Sequence, residues 1–203
     1  MIHKDIILYS QAYQPLFARI PTSISKGINL YSQGYQPLFL RMSDLTRKDI
    51  NLQSRAYQAV LKAQEESIDQ VRVGVRYRNV HWTACRILTE FLIDEGILNC
   101  DVDEALEHGS HALFFPHGIG HLIGLDVHDM EHFGDIPSYP NGRIRSKQFG
   151  TAYLRLDADL KENMVVTIEP GFYIIPAILE NKKLMMFRGN IWGKTKLMKF
   201  QKF

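Results

Sequence analysis

The chain has 203 residues, of which 45% are hydrophobic and 23% are charged, and its formal net charge is +2. These values are typical of a globular protein with one sizeable core. The only two cysteines, Cys85 and Cys100, argue against a disulfide scaffold and favour a reducing compartment. The N-terminus lacks an apolar signal segment, and no apolar run approaches the ~18 residues of a membrane span. We therefore expect a cytoplasmic protein without a membrane partner.

The first feature along the chain is a repeat with a period of 22 residues. KDIILYSQAYQPLFAR (4–19) recurs as KGINLYSQGYQPLFLR (26–41) and, less closely, as KDINLQSRAYQAVLKA (48–63). Such a period occurs in solenoids, but three copies of decreasing similarity would make a very short one. We favour a local duplication of the segment that begins the third copy.

Helical periodicity follows and predicts three helices in succession. The first runs from Arg55 to Gly74, and the second covers 80–95 with Asn79 as its N-cap. The third covers 101–107, and its first residue, Asp101, is a possible cap. Helices followed by β-rich sequence predict an α+β fold. The predicted strands are 112–115, 150–156, 164–169 and 172–175.

The segment FFPHGIGHLIGLDVHD (114–129) places three histidines among glycines and aliphatic residues. Its glycines favour an extended backbone, in which His117 and His121 lie on one face. A bulge or turn near Gly124 would then be needed to re-aim His128. A single histidine on an apolar face is usually structural, but three of them indicate ligands for a divalent metal or proton donors beside one.

Two carboxylates complete the candidate set. Glu169 ends an apolar run, VVTI, and a carboxylate buried there must be paired or metal-bound, unless it reaches solvent at the following turn. Asp44 lies in SDLTR (43–47), where it is either a helix cap, a surface partner of Arg47 or a ligand. These two stretches alone do not decide between the alternatives for Glu169 or between those for Asp44.

These motifs resemble those of the prolidase and aminopeptidase P family, relatives of methionine aminopeptidase that share the pita-bread fold. The residues that carry the resemblance are FFPHGIGHLIGLDVHD (114–129), GTAYLRLDADLKENMVVTIEPGFYIIP (150–176) and, less strongly, SDLTR (43–47). The resemblance implies an incomplete pita-bread fold, as in a truncated or rearranged catalytic domain. It divides the chain into degenerate repeats at 1–47, a partial metallopeptidase domain at 48–182 and a basic tail at 183–203.

The resemblance also implies roles for individual residues. The family holds two divalent metals, typically manganese, with two aspartates, one histidine and two glutamates. Asp44, His121 and Glu169 match metal ligands, and Glu169 also matches the general base that acts on the bridging water. His117 and His128 match histidines that contact the substrate. The implied reaction is hydrolysis of the bond before proline by a metal-activated water, on a small peptide with proline in second position. A homo-oligomer is compatible with this.

The chain departs from the family pattern at two ligand positions. Gln33 stands where the first aspartate is expected, and an amide brings no negative charge to compensate the cations. No acidic residue follows Glu180, where the family has its last glutamate. The alternative to an exopeptidase is therefore a catalytically inactive pita-bread module without a complete dinuclear site.

The end of the chain is strongly basic. Seven lysines and arginines follow Glu180, with aromatic residues between them. Contact with nucleic acid or an anionic membrane is one interpretation of this pattern. We favour a disordered tail and expect neither partner.

Overall fold

The computed structural model describes residues 7–9 and 47–181. Most of the regular structure is helical, and 3₁₀ turns and extended segments pack against the two longest helices. The helices and strands, in chain order, are β1 (Ile7–Tyr9), α1 (Arg47–Gln70), α2 (Tyr77–Asp94), α3 (Val102–Glu107), α4 (Asp135–Ser138), β2 (Val165–Thr167) and α5 (Pro176–Leu179). The 1–47 repeats, apart from β1 and Arg47, and the basic tail beyond Asn181 lie outside the described residues.

Helix α2 is the centre of the core. Val80, Ala84, Leu88 and Leu92 follow one another at intervals of four residues, and all four are buried. This spacing forms one continuous apolar face on a helix, which packs against α1. A second apolar cluster forms where the end of α2 meets α3, Phe114 and α5.

The predicted cap of α2 is wrong. The helix begins at Tyr77 after Arg76, three residues before the predicted start, and Asn79 lies inside it. The backbone N–H of Tyr77 donates to the Ala158 carbonyl at 2.9 Å, so a tertiary hydrogen bond replaces a side-chain cap. The predicted cap of α3 is confirmed, because the Asp101 carboxylate accepts a hydrogen bond from the Glu104 N–H at 2.8 Å.

Three of the four predicted strands are also wrong. Residues 110–113 form a 3₁₀ helix instead of leading into a strand, and a second 3₁₀ helix covers 151–153. Residues 172–175 form no strand either. Every residue of 110–113 is buried, which removes the alternation that distinguishes a strand from a compact turn. Only the run at 164–169 contains a strand, β2.

Strand β2 has a neighbour on each side. It pairs in parallel with β1, in the register Ile7 with Val165. On its other side an antiparallel bridge joins Val166 to Leu122 of the histidine-rich segment. The apolar run VVT is thus held between two backbones, which fixes the position of Glu169 just beyond its end.

A buried ion pair attaches the start of α2 to the segment before β2. The Asp157 side chain is fully buried, and the Arg76 guanidinium binds both of its carboxylate oxygens, at 2.5 and 2.7 Å. Nη2 of Arg78 lies 3.1 Å from the same carboxylate. The buried Asp157 carboxylate therefore compensates the positive charges of both Arg76 and Arg78.

We expect Asp157→Asn to lower the free energy of unfolding by about 3 kcal/mol, because removing one partner of a buried pair leaves the other uncompensated. Asp103→Asn is the matched control, since Asp103 also pairs with an arginine, Arg86, but its side chain is 80% exposed. Its loss should cost below about 1 kcal/mol. Urea denaturation of both variants measures the difference, and equal losses would contradict the importance of burial here.

Candidate metal and substrate site

The backbone of the histidine-rich segment is held against β2 and the residues after it. The N–H of Thr167 donates to the His121 carbonyl at 3.0 Å, and the N–H of Glu169 donates to the Ile119 carbonyl at 2.6 Å. The Thr167 hydroxyl also accepts from the His121 N–H at 3.0 Å. This antiparallel pairing brings two motifs that lie far apart in the sequence into one site.

His121 and Glu169 meet at the centre of the site. Nε2 of His121 lies 3.1 Å from Oε1 of Glu169, and the two side chains are only 6% and 12% exposed. Nδ1 of His121 lies 2.7 Å from the Leu122 carbonyl, which can only accept, so Nδ1 carries a proton. Nε2 is therefore the atom left to bind a proton or a cation facing the carboxylate.

The two groups shift each other's protonation. Burial lowers the pKa of His121, but Glu169 and the Leu122 carbonyl raise it, and the net pKa is above its ordinary value. Burial raises the pKa of Glu169, but its contacts with His121 and Thr167 lower it, and the net pKa is below its ordinary value. Glu169 therefore does not reach solvent as a simple strand-end residue, but is a largely buried carboxylate with a basic partner.

His117 lies beside the same carboxylate. Its Nδ1 is 2.8 Å from the Gly118 carbonyl, and its Nε2 is 3.1 Å from the Tyr173 hydroxyl. Burial is the main cause that lowers the pKa of His117, while the charge of Glu169 opposes it. Because a carbonyl oxygen can only accept, its contact with Nδ1 leaves Nε2 of His117 to accept a hydrogen bond from the Tyr173 hydroxyl.

His128 reaches the site through the turn that the sequence requires. The N–H of Asp129 donates to the Leu122 carbonyl at 3.1 Å, which reverses the chain around Gly124. The ring of His128 then lies 4.3 Å from that of His121, in an edge-to-face arrangement. His128 is largely exposed. The partial desolvation of its ring is the main cause that lowers its pKa, and the positive charge of Arg155 lowers it further.

Two contacts in the site have no counterpart in the sequence prediction. Tyr173 orients His117, and Arg155 lies 3.5 Å from Nδ1 of His128 while pairing with Glu131. Both residues lie inside the long motif 150–176, and that motif is the sequence signal that could have identified them. His117 and Arg155 also line an open cleft of about 480 Å³, a size that suits a small peptide.

The residues present fit a divalent cation. Oε1 of Glu169 is buried and has no aligned hydrogen-bond donor within the described part of the chain, although Nε2 of His121 is close to it. Nε2 of His121 and Oε1 of Glu169 lie 3.1 Å apart. Two ligand atoms that bind one metal ion at about 2.1 Å each have a similar separation. Asp44, the third predicted ligand, and Gln33 lie outside the described residues.

Comparison with known proteins identifies the family of this chain. Residues 33–193 match the model of metallopeptidase family M24. A Xaa-Pro dipeptidase of Stenotrophomonas maltophilia is 46% identical over 125 residues, which are 62% of this chain and 28% of that protein. A Xaa-Pro dipeptidase of Xanthomonas campestris is also 46% identical over 125 residues, with the same coverage. The chain therefore spans just over a quarter of the length of these relatives.

Solved structures show the same relationship. The aminopeptidase PepP of Pseudomonas aeruginosa superposes with a TM-score of 0.50 at 30% identity, covering 68% of this chain and 27% of that one. Aminopeptidase P of Escherichia coli with the inhibitor Pro-Leu superposes with a TM-score of 0.50 at 32% identity, covering 66% and 26%. The predicted fold class, part of an α+β pita-bread fold, is confirmed. No helix in the described ranges is long and apolar enough to cross a membrane. The chain belongs to metallopeptidase family M24.

Proposed function

We propose that this chain binds a divalent metal, Mn²⁺ in the first place, through His121 and Glu169, and hydrolyses the peptide bond that precedes proline. The contact between Nε2 of His121 and Oε1 of Glu169, 3.1 Å long and nearly shielded from water, carries the proposal. Its support is that Nε2 of His121 faces a buried carboxylate oxygen that has no aligned hydrogen-bond donor within the described residues. Asp44 is the third ligand that we propose.

A bound divalent metal would supply Lewis acidity toward the peptide carbonyl and the attacking water. The protein's own residues do the rest of the work that we propose. Glu169 accepts the proton of the water, and its backbone N–H is held by the Ile119 carbonyl. His117 and His128 contact the substrate at the carbonyl side, where Tyr173 fixes the orientation of the His117 ring.

Peptides with proline in second position are the proposed substrates, because the relatives are named for Xaa-Pro bonds. The open cleft beside His117 and Arg155 offers space for such a peptide. Mn²⁺ is proposed because the carboxylates of Glu169 and Asp44 are the kind of donor that suits this hard divalent ion.

The test compares an Ala-Pro peptide with the corresponding Ala-Ala peptide, each assayed with the purified chain after chelation and after addition of Mn²⁺ or Co²⁺. We expect metal-dependent release of the N-terminal residue from the Ala-Pro peptide and at least about tenfold slower cleavage of the other, a difference of ~1.4 kcal/mol in transition-state binding. A folded, metal-saturated chain that cleaves neither peptide would establish the inactive-module alternative.

A further inference from the structure

Three side chains that commonly bind metals lie together in the core, apart from the site described above. His81 and Cys85 stand four residues apart on one face of α2, and His111 comes from the 3₁₀ helix Ser110–Leu113. All three are buried, and each offers a ligand atom within 4.8 Å of the others. None of them belongs to the motifs from which the catalytic site was predicted.

The His111 side chain has an unusual environment. It is 1% exposed, and neither of its ring nitrogens has a hydrogen-bond partner among the residues that the structure describes. Its ring lies edge-on to Trp82, with the centroids 5.6 Å apart. A buried polar atom without a partner costs about 1–3 kcal/mol, so such an atom in a native protein requires an explanation.

We propose that His81, Cys85 and His111 form a second metal site, for a thiolate-preferring ion of filled d shell, Zn²⁺ or Cu⁺. The ligand spacing supports this. Nε2 of His81 lies 3.4 Å from Sγ of Cys85, and donors around a tetrahedral zinc are about 3.3–3.7 Å apart. All three ligand atoms lie within 4.8 Å of one another, so shifts of about 1 Å would complete a tetrahedral set.

The chemistry of the three donors selects the ion. One thiolate and two imidazoles prefer Zn²⁺ or Cu⁺ to Mn²⁺, which prefers oxygen donors. Burial lowers the pKa of both imidazoles, that of His111 to about 4, and raises the pKa of the Cys85 thiol. The Cys85 thiol must lose its proton, which passes to solvent as the metal–sulfur bond forms.

This metal would connect α2 to the segment that carries His117. The Phe115 ring contacts His81, with the centroids 5.6 Å apart, and also contacts His117, at 4.8 Å. An ion held by His81, Cys85 and His111 would therefore stabilise the backbone on which the catalytic histidines stand. We assign it a structural role, because all three donors are closed off from solvent.

In the experiment, separate samples of the chain are refolded with Zn²⁺, Co²⁺, Mn²⁺ or Cu⁺, the last under anaerobic conditions. Free metal is then removed by gel filtration. Elemental analysis of the Zn²⁺ and Cu⁺ samples is expected to find a retained ion, and whichever is retained in direct competition identifies the preferred metal. The Co²⁺ sample is expected to show a near-ultraviolet charge-transfer band from the thiolate. The retained ion is expected to raise Tm by several degrees, as binding to the folded state requires.

Variants distinguish this site from the other thiol and from the catalytic site. Cys85→Ser and His111→Phe should lose the cobalt band and the rise in Tm, and His111→Phe fills the same space without an unpaired polar atom. Cys100→Ser is the matched control, because Cys100 is the only other cysteine. It should keep the band, as should Glu169→Gln. Absence of the band in the parent chain, its persistence in Cys85→Ser, or retention of Mn²⁺ alone would overturn the proposal.

Discussion

Gly120→Ala is expected to lower the free energy of unfolding by at least about 3 kcal/mol, because it forces atoms into a closely packed backbone. A Cβ at this position would lie 2.2 Å from the Thr167 carbonyl oxygen and 2.6 Å from the Tyr77 hydroxyl. These two groups are already hydrogen-bonded to each other at 2.5 Å. The Tyr77 hydroxyl cannot move away without losing this hydrogen bond, and the Thr167 backbone cannot move without disturbing its pairing with His121.

Gly142→Ala is the matched control for this substitution. Gly142 has a φ of 73°, and a Cβ added there would meet no atom within 4 Å. Its replacement should cost only the left-handed backbone, about 1–2 kcal/mol. Urea denaturation of the two variants measures both values, and a loss in Gly120→Ala no larger than that in Gly142→Ala would show that the close approach is not required.

Glu169→Gln is expected to lower kcat/KM for an Ala-Pro peptide by about 10³-fold, which is within the range seen when a general base is removed. The amide has the same shape but can neither accept the proton nor neutralise a cation. Among the described residues, Glu169 is the carboxylate that contacts the His121 imidazole, so no other one can replace it. Steady-state kinetics at saturating Mn²⁺ gives the result directly.

Glu66→Gln serves as the control for the loss of a negative charge. Glu66 is exposed on α1, where it lies 3.8 Å from Lys62. Its replacement should leave kcat/KM unchanged and the free energy of unfolding within about 0.5 kcal/mol of the parent. Activity in Glu169→Gln within a factor of two of the parent would remove Glu169 from the proposed chemistry.

The sequence was informative where a local rule determines the structure. Asp101 caps α3 because an acceptor at that position satisfies a free N–H of the first turn. The odd spacing of His121 and His128 required a turn near Gly124, and the chain does reverse there. The even spacing of His117 and His121 predicts that both rings lie on one face of the segment, and both imidazoles contribute to lowering the pKa of Glu169.

Tertiary contacts explain what the sequence could not provide. The N–H of Tyr77 finds the Ala158 carbonyl across the fold, so no cap signal marks the start of α2. The run HALFF lacks alternation and packs Phe114 and Phe115 into two different clusters, which a buried strand would also do, so the pattern does not distinguish a strand from the 3₁₀ turn observed. Tyr173 lies 56 residues from His117, its partner, and no spacing rule predicts that contact.

The most direct test is calorimetric titration of the folded chain with Mn²⁺, repeated on His121→Ala and His128→Ala. His121 and His128 lie in the same segment with their rings 4.3 Å apart, but only His121 contacts the Glu169 carboxylate. The account predicts that the parent binds Mn²⁺, that His121→Ala binds it at least about tenfold more weakly, a loss of ~1.4 kcal/mol, and that His128→Ala retains the parent affinity. No binding by the folded parent at millimolar Mn²⁺, or equal affinities in the parent and His121→Ala, would contradict it.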